Sequence, residues 1–460
     1  HIGFALEIVQ ADVVARWHRQ KGEDVFFLTG TDEHGTKIAK AAQAAGVSSQ
    51  GFVDAISGKF LELIKTLNIS SNDFIRTTDQ GRHWPSVEVV WKKLQDQGDL
   101  EKRFYEGLYC YGCEAFITEK ELVNGQCTLH KREPERVREE NWFFKLSKYE
   151  DQLKEKIGTG ELRIVPEVRK NEILALINQG LQDVSFSRSR EKLQWGIPVP
   201  GDESQTIYVW ADALVNYISA LGYPEGEKFE KYWPADVHVI GKDILRFHAT
   251  IWPAILLSLG VELPKTIFVH GFITVDSEKM SKTIGNVVDP FPLIEKYGAD
   301  AVRYFLLREI PSAEDGDFTQ EKFEERYNAD LASGLGNLVA RVLAMAEKVG
   351  ASLPQSLSNK ELKTLLTEIK AEVFSALDEF KFGRALEEVW SVIQFCDRYI
   401  DEKKPWIDSE SQKGVLGDLL YTLQEIADLL VPFLPETSEK IRVQLSGGTR
   451  ASLFPRILSN

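Results

Sequence analysis

The sequence predicts a mixed α/β domain built on a parallel sheet, interrupted by a cysteine-bearing insertion and followed by an all-α bundle. Short apolar, strand-like runs alternate with helical patterns as far as about residue 330. Three of the four cysteines fall in one block between the two halves of this pattern. After residue 330 the pattern is helical throughout. We therefore expect segments at 1–96, 97–205, 206–330 and 331–460.

Length and composition set broad limits on the protein. A chain of 460 residues exceeds what one hydrophobic core usually organises, so two or three domains are expected. No apolar run approaches the length of a membrane span. The net charge of -15 argues against a protein that coats nucleic acid without specificity, but it allows a local basic track on the surface that binds one folded RNA. Because the chain begins with His1 inside a strand-loop-helix unit, we expect a piece of a longer protein.

The first segment predicts an anion site at the start of a buried helix. Residues 5–20 are largely apolar, and Gly22 supplies a stop. At Gly3 the backbone is open to close approach, and the amides of a first helical turn attract anions. A phosphate could therefore bind there with His1 beside it. The alternative is a histidine in an ordinary loop.

A second strand, turn and helix follow at once. The apolar run Val25–Leu28 leads into Gly30-Thr-Asp-Glu-His-Gly35, and a helical stretch covers Lys37–Ala45. This order places the turn at the carboxyl edge of the sheet, where open α/β folds bind ligands. The alternative is that Thr31 or Asp32 simply caps the helix.

The insertion carries a predicted metal site. Cys110-Tyr-Gly-Cys113 is followed after thirteen residues by Cys127-Thr-Leu-His130. Four nitrogen and sulfur donors with this spacing close a tetrahedral zinc site that leaves no open position, so the metal is expected to be structural. Free thiols without metal are the alternative, and a disulfide is less favoured. Cys396 lies in an apolar helical stretch and is predicted to be core.

The second half of the sheet predicts an aromatic pocket. Ile207–Tyr217 is predicted to resume the sheet and run into a helix, and Val237–Asp243 is predicted to be a strand that ends in a polar turn. Helical spacing after each strand groups apolar and aromatic side chains that could enclose an apolar ligand with a few polar handles. The alternative is ordinary core packing. These side chains are Trp210, Ala213, Leu214, Tyr217, Phe247, His248 and Trp252.

Two lysines lie on a polar loop that follows one or two buried strands. The strands are predicted within Thr266–Val275, the loop covers Asp276–Asn286, and a helix is predicted to open near Pro290. The spacing of a Walker loop is absent, so the ammonium groups of Lys279 and Lys282 themselves would have to bind an anion such as a transferring phosphoryl group. A solvated loop is the alternative.

The last segment is predicted to be a bundle of helices with a few groups suited to RNA. Asn337 and Arg341 are four residues apart and so share a face, while Trp406 lies in a loop. An amide, a guanidinium and a ring provide the hydrogen bonds and stacking that single-stranded bases need. A capping arginine and a packed tryptophan are the alternative. The predicted helices are Leu331–Val349, Lys360–Leu377, Arg384–Ile400 and Gly414–Pro432.

Several of these motifs together resemble one enzyme family. Lys279-Met-Ser-Lys-Thr283 resembles the KMSKS signature of class I aminoacyl-tRNA synthetases, with threonine in the last place. His1-Ile-Gly-Phe4 resembles the companion HIGH signature, with Phe4 in place of the second histidine. The phrase at Gly30–Gly35 is similar to that of the methionyl-tRNA synthetases, and the resemblance covers essentially the whole chain. It implies a Rossmann-like catalytic domain followed by an anticodon-binding helical bundle.

The resemblance also implies roles for individual residues. Asp32 would meet the substrate ammonium, the aromatic pocket would enclose the methionine side chain, and Asn337, Arg341 and Trp406 would read the CAU anticodon. His1, Lys279 and Lys282 would act in catalysis. Expected partners are methionine, ATP with Mg²⁺ and tRNA(Met), with one structural zinc per chain, no membrane contact and a cytoplasmic location. The ATP site would comprise His1, Gly3, Gly241, Lys242, Asp243, His270, Lys279, Met280, Ser281 and Lys282.

Two other functions stay open at this point. An enzyme of another specificity, such as cysteine, would share the sheet and the lysine loop, but a metal open to the substrate thiol would then be expected. A catalytically weak tRNA-binding relative is the second alternative, because Phe4 cannot donate a hydrogen bond to a nucleotide. The insertion leaves no room for the large editing domain of synthetases for valine, isoleucine and leucine.

Overall fold

The computed structural model describes residues 1–113, 115–129, 131–280, 285–407 and 412–456. The chain divides into two compact units. The first contains His1–Val25, Glu62–Ser70 and His270–Asn460, and the second contains Phe26–Leu61 and Ser71–Val269. None of the helices in the described ranges combines the length and apolar character that a membrane crossing requires.

Helices account for most of the first unit and much of the second. Short 3-10 turns lie at Glu119–Glu121, Leu146–Tyr149 and Lys242–Ile244, and π turns lie at Phe247–Ile251 and Tyr327–Gly336. The α-helices are α1 (Ile2–Gln20), α2 (Thr36–Ala44), α3 (Ser49–Thr66), α4 (Trp84–Asp96), α5 (Glu150–Thr159), α6 (Glu167–Asn178), α7 (Val209–Ala213), α8 (Asn216–Ser219), α9 (Glu227–Tyr232), α10 (Trp252–Leu259), α11 (Pro290–Tyr297), α12 (Ala299–Arg308), α13 (Gln320–Arg326), α14 (Asn337–Val349), α15 (Lys360–Asp378), α16 (Phe382–Lys403), α17 (Lys413–Leu430) and α18 (Pro435–Leu445).

The strands form several small sheets rather than one wide sheet. They are β1 (Leu28–Thr31), β2 (Asp73–Arg76), β3 (Leu100–Cys110), β4 (Ala115–Ile117), β5 (Leu122–Val123), β6 (Gln126–Cys127), β7 (Glu135–Phe144), β8 (Arg163–Val165), β9 (Val184–Ser185), β10 (Ser187–Ser189), β11 (Pro198–Val199), β12 (Asp202–Ile207), β13 (Val237–Gly241), β14 (Thr266–His270), β15 (Ile273–Val275), β16 (Glu278–Lys279) and β17 (Gly316–Phe318).

Parallel pairs occur in both predicted halves of the sheet domain, although one partner strand, β8, lies in the segment 97–205 that was predicted to be the insertion. In the second unit β1 pairs in parallel with β2, and β14 pairs in parallel with β8 while also neighbouring β13. All five residues of β14 are buried, as expected for a strand covered on both faces. The predicted strand at Val237–Gly241 and the predicted strands within Thr266–Val275 are confirmed.

The insertion is built on antiparallel strands. β3 and β7 pair along almost their full length, from Leu100 opposite Phe144 to Tyr109 opposite Glu135. β4 and β9 complete this four-stranded sheet. The prediction that Ile207–Tyr217 resumes the parallel sheet is wrong, because β12 pairs antiparallel with β10 and β11 in a sheet of its own.

The first unit is held together around a buried ion pair. Asp12 on α1 and Arg303 on α12 are both fully buried, with a nitrogen-to-oxygen distance of 2.8 Å. The same guanidinium donates to the backbone oxygens of Leu67, Pro432 and Phe433. Because its four acceptors lie on three separate segments, this arginine fixes α1 and α12 against the residues just after α17.

The starts of one strand and one helix differ from the sequence prediction, and one further helix was not predicted. The strand predicted at Val25–Leu28 starts only at Leu28 and continues through Gly30 and Thr31. The helix predicted from Leu331 is regular only from Asn337, because a π turn precedes it. The last helix of the bundle, α18, was not predicted, since its only strong signal is the proline at its first position.

Candidate functional site

The start of the chain forms a capped helical turn in the first unit. His1 is the N-cap of α1, and its Nδ1 accepts a hydrogen bond from the Gly3 amide at 3.2 Å. The ring of Phe4 lies 4.3 Å from the His1 ring, centroid to centroid. One of the amides predicted to attract an anion is therefore engaged by His1 in this structure. An anion that used this amide would have to displace the imidazole.

Residues within and just after the lysine loop lie beside this turn. The Ile2 amide donates to the carbonyl of Val288, and the methyl group of Met280 lies 3.7 Å from where a Cβ on Gly3 would stand. The His1 ring would lie only 3.0 Å from that Cβ. Glycine thus leaves room at a position where the helix start lies beside Met280 within the lysine loop and Val288 just after it. Ser281 and Lys282 lie outside the described residues, and for Lys279 only the backbone is described.

His270 closes β14 beside the same helix. Its Nδ1 lies 2.7 Å from the Gly271 carbonyl oxygen, and its Nε2 lies 3.0 Å from a carboxylate oxygen of Glu7 on α1. The side chain is buried. The predicted nucleotide residues Gly241, Lys242 and Asp243 belong to the other unit, where they form the end of β13 and the turn after it.

The loop at Gly30–Gly35 exposes one carboxylate and buries the next. Asp32 is exposed, whereas Glu33 is buried and accepts two hydrogen bonds from Arg76 at 2.8 and 3.0 Å. Thr78 also donates to Glu33, and Trp195 donates to the Glu33 carbonyl at 2.7 Å. Gly35 is the N-cap of α2 and makes no side-chain cap, so the capping alternative for Thr31 or Asp32 is not found. The loop is held from both sides with Asp32 left accessible.

A fully buried carboxylate, Asp212 on α7, connects this loop to the aromatic residues. It lies 2.5 Å from Nδ1 of His34 and 2.6 Å from Nε2 of His83, and Nδ1 of His83 lies 2.7 Å from the Ser219 hydroxyl. Burial raises the pKa of Asp212, but His34 and His83 outweigh burial and hold it below its usual value. His34 therefore anchors the Gly30–Gly35 loop to α7.

The predicted aromatic pocket residues lie together in the second unit. The rings of Trp210 and Phe247 are stacked, with centroids 4.0 Å apart and planes within 7°. The Tyr217 hydroxyl lies 2.7 Å from Nε2 of His248, whose Nδ1 lies 3.0 Å from the Ile244 carbonyl. Ala213 and Leu214 are buried on the same helical segment. Aromatic faces and a tyrosine-histidine pair are thus brought together from the two predicted strand ends.

A second buried histidine, His238, packs against these rings. His238 on β13 stacks on Tyr217 at 4.1 Å and accepts a hydrogen bond from the indole nitrogen of Trp252 at 3.1 Å. Burial, with the nearby His248, lowers the pKa of His238 to about 3, so the ring stays neutral. A neutral acceptor can satisfy the Trp252 donor without placing a charge under an apolar pocket.

Three cysteine sulfurs form a cluster in the insertion. The Sγ atoms of Cys110, Cys113 and Cys127 lie within 4.8 Å of one another, and those of Cys113 and Cys127 are 3.5 Å apart. A tetrahedral zinc with bonds of about 2.3 Å places its sulfur ligands about 3.8 Å apart, so the cluster fits that ion. None of the four cysteines forms a disulfide. His130, the fourth predicted ligand, lies outside the described residues.

The residues predicted to contact RNA lie in the helical part of the first unit. Asn337 is exposed at the start of α14, and Arg341 lies one turn later. Arg341 pairs with Asp397 at 3.4 Å and with Asp401 at 3.3 Å, both on α16. The Trp406 side chain, just after α16, is 49% exposed, so the packed-ring alternative is not found.

The sequence did not predict which residues support these sites through hydrogen bonds and ring contacts. Glu33 and Asp212 lie inside motifs that the sequence singled out, and their position beside predicted ligand-binding residues was the only available signal. Arg76 and His83 lie in stretches without any motif, and His238 lies in the predicted strand at Val237–Asp243 but was assigned no role. Their role as supports depends on contacts between distant parts of the chain, which one sequence does not display.

Comparison with known families gives two matches. Residues 1–127 and 117–343 match the family described as tRNA synthetases class I (M). Residues 359–455 match the family described as anticodon-binding domain of tRNA ligase. Together these matches span most of the chain.

Curated relatives cover nearly the full chain. It is 48% identical to the methionine–tRNA ligase of Clostridium perfringens, over 97% of this chain and 71% of the relative. It is 43% identical to the methionine–tRNA ligase of Thermotoga maritima, over 96% of this chain and 72% of the relative.

Solved structures give the same result. The Mycobacterium tuberculosis methionyl-tRNA synthetase in complex with methionyl-adenylate has a TM-score of 0.92 at 37% identity, over 99% of this chain and 97% of that one. The apo form of the Mycobacterium tuberculosis protein has a TM-score of 0.85 at 33% identity, over 100% of this chain and 96% of that one.

Proposed function

Because the chain belongs to the methionyl-tRNA synthetase family of class I, we propose that it joins methionine to tRNA(Met) through a methionyl adenylate. The predicted fold class, a class I catalytic domain with a helical anticodon-binding domain after it, is confirmed. We also propose the segment boundaries given above, with the insertion at 97–205 and the helical domain from 331. One structural observation carries the assignment of residues. The His34–Asp212 bond fixes the loop that exposes Asp32 to the helix that carries Trp210 and Ala213.

Methionine recognition follows from this arrangement. The exposed carboxylate of Asp32 would bind the substrate ammonium, and the thioether would lie against the rings of Trp210, Tyr217, Phe247 and Trp252, which favour sulfur contact. Ala213 and Leu214 would limit the length of the pocket. His248 would offer a weak polar contact while Tyr217 holds its ring in place. An apolar pocket with a single charged group at its mouth suits an amino acid with an uncharged side chain.

The reaction consists of two displacements. The methionine carboxylate attacks the α-phosphorus of ATP and releases pyrophosphate, and then a terminal ribose hydroxyl of the tRNA attacks the carbonyl carbon and releases AMP. Positioning and charge stabilisation account for most of the catalysis in such reactions. We propose that the negative charge on the transferring phosphoryl group is stabilised by Lys279, Lys282, His1 and the amides at Gly3. Magnesium bound with ATP would neutralise part of the same charge.

Other ATP contacts are part of the same proposal. Gly241, Lys242 and Asp243 lie at the end of β13 and in the turn after it, and β13 belongs to the sheet that contains the parallel pair β14 and β8. The ends of such strands are where α/β folds bind nucleotides. His270 precedes the segment that carries the two lysines, and Met280 and Ser281 lie between these lysines. We assign all six residues to the nucleotide site.

Zinc and tRNA complete the proposal. Cys110, Cys113, Cys127 and His130 would hold one zinc ion, which would stabilise the insertion and take no part in the chemistry because its ligand shell is full. Asn337, Arg341 and Trp406 would contact the anticodon. The tRNA partner and a cytoplasmic location are supported by family membership.

The deciding experiment is pyrophosphate exchange into ATP with a panel of amino acids, followed by charging of tRNA(Met). Exchange with methionine, little with cysteine, and transfer to tRNA(Met) are expected. Exchange driven by cysteine would indicate another specificity. Binding of tRNA without any exchange, measured on a protein that retains its native N-terminus, would instead indicate a catalytically weak relative.

A further inference from the structure

A cavity of about 280 Å³ lies in the second unit next to the loop that carries Asp32. Its lining includes His34, two residues after Asp32, and the rings of Trp84 and Trp195. Arg190, Gln80 and Gln194 contribute polar groups to the same lining. None of these groups has a role in the methionine pocket or the nucleotide contacts assigned above, apart from the support that His34 gives to the loop.

The two indole rings are held in place with their polar atoms already used. The Trp195 nitrogen donates to the Glu33 carbonyl at 2.7 Å, and the Trp84 nitrogen donates to the Thr77 carbonyl at 3.0 Å. Their centroids lie 5.4 and 6.0 Å from the His34 ring. The indoles therefore offer fixed apolar surface to a ligand, which is the chemistry of base stacking.

The charge of the cavity points to an anionic ligand. Among the described residues none that lines it carries a carboxylate, although the chain as a whole has a net charge of -15. Arg190 supplies the single guanidinium, which makes no ion pair with any residue in the described part of the chain. Gln80 and Gln194 are exposed amides that can both donate and accept hydrogen bonds. A planar base with a phosphate attached combines the groups that this lining would bind.

We propose that this cavity binds a nucleotide of the single-stranded 3′ end of tRNA. The base would lie against Trp84 or Trp195, its edge would meet the glutamine amides, and the phosphate would meet Arg190. This inference rests on the proposed function, because the 3′ end must reach an acyl group held near Asp32. A free mononucleotide such as ATP has the same base-and-phosphate chemistry, so the two sources have to be separated by experiment.

The test combines a protein change with an RNA change. Arg190→Gln removes the charge but keeps a polar side chain. Arg163→Gln is the matched control because Arg163 is an exposed arginine on β8 of the same unit and forms no ion pair with the residues that the structure describes. Binding of each variant is measured for intact tRNA(Met) and for tRNA(Met) whose single-stranded 3′ end has been removed. Gln194→Ala, at an exposed position, provides a second variant whose folding is not at risk.

We expect Arg190→Gln to weaken binding of intact tRNA about fivefold to tenfold and to leave binding of the truncated tRNA unchanged. The slope of log affinity against log salt should fall by about 0.7 for intact tRNA only, as for the loss of one single-strand phosphate contact. Gln194→Ala should lower affinity about threefold with the same dependence on the 3′ end. Pyrophosphate exchange with methionine should match that of the parent and of Arg163→Gln.

Other outcomes would overturn the inference. Equal weakening for intact and truncated tRNA would place Arg190 against another part of the RNA. A raised KM for ATP in pyrophosphate exchange would mean that the cavity serves the free nucleotide. Unchanged binding of intact tRNA in both variants would also exclude the proposal. Absence of exchange in the parent would instead count against the proposed function, so the two failures are distinguishable.

Discussion

Replacing Asp212 by asparagine tests whether this carboxylate positions the Gly30–Gly35 loop, which carries Asp32. The carboxylate is fully buried and accepts from His34 on the loop and from His83 at the start of α4. An asparagine of the same shape has one acceptor oxygen, so one of these two hydrogen bonds is lost. The loss of a hydrogen bond to a charged group costs about 1.5 to 3 kcal/mol. If this cost falls on the loop that presents Asp32, KM for methionine should rise about tenfold to hundredfold.

His83→Gln is the matched control for this change. The flexible glutamine amide cannot hold both Asp212 and Ser219 as the imidazole ring of His83 does, and position 83 lies outside the Gly30–Gly35 loop. We expect His83→Gln to lower thermal stability in the same direction as Asp212→Asn, with KM for methionine changed less than about threefold. Pyrophosphate exchange gives KM for methionine and for ATP in one assay, and KM for ATP should change little in either variant.

The effect of Asp212→Asn should not depend on pH near neutrality. Although burial raises the pKa of Asp212, His34 and His83 hold it below its ordinary value, so its contribution is present above the unfolded-state pKa. That contribution is lost only as pH falls through the lowered folded-state pKa. The ratio of KM values should therefore agree at about pH 7 and pH 8. A KM for methionine within about twofold of the parent, or equal increases in Asp212→Asn and His83→Gln, would refute the positioning role.

Four further changes address the other proposed contacts. Tyr217→Phe removes the hydroxyl that meets His248 and should raise KM for methionine about fivefold in pyrophosphate exchange, with an unchanged value arguing against the contact. Cys127→Ser should reduce bound zinc, measured by elemental analysis, from one per chain toward none, whereas full retention would exclude Cys127 as a ligand. Trp406→Ala should lower kcat/KM for tRNA about tenfold with exchange intact, and equal losses would mean a structural role. Lys282→Ala should slow adenylate formation with little change in KM for methionine, and a parental rate would count against its role.

Local sequence patterns predicted the parts of the site that lie at the ends of strands and helices. An apolar run followed by a polar turn located Gly241 at the end of β13, and the Gly30–Gly35 motif located the loop before α2. These predictions succeeded because the signals are contained within about ten residues. The Cys-x-x-Cys spacing predicted one part of the cysteine cluster for the same reason, since a short turn brings Cys110 and Cys113 together.

Contacts between distant parts of the chain could not be predicted in this way. His34 and His83 lie 178 and 129 residues from Asp212 in the sequence, and only the fold brings them together. The pairing of β12 failed for a related reason. Its sequence does not reveal whether the partner strand is parallel or antiparallel, because both allow the same apolar run.

Buried carboxylates explain how such distant segments become fixed. Asp99 in the second unit accepts from Lys148, Tyr149 and Ser258, and Asp12 in the first unit accepts from Arg16, Arg303 and Ser70. A carboxylate has about four acceptor positions, so one side chain can satisfy donors from several elements at once, which offsets the cost of burial.

Asp212 differs from these two acids in where its donors lie. Asp99 and Asp12 gather donors within the framework of their units, whereas Asp212 joins a framework histidine, His83, to a histidine on a ligand-binding loop, His34. A buried carboxylate that accepts from several elements therefore has a different consequence at this position. Weakening Asp99 or Asp12 should destabilise the fold, while weakening Asp212 should first displace the loop that presents Asp32, because one of its two histidine partners, His34, belongs to that loop.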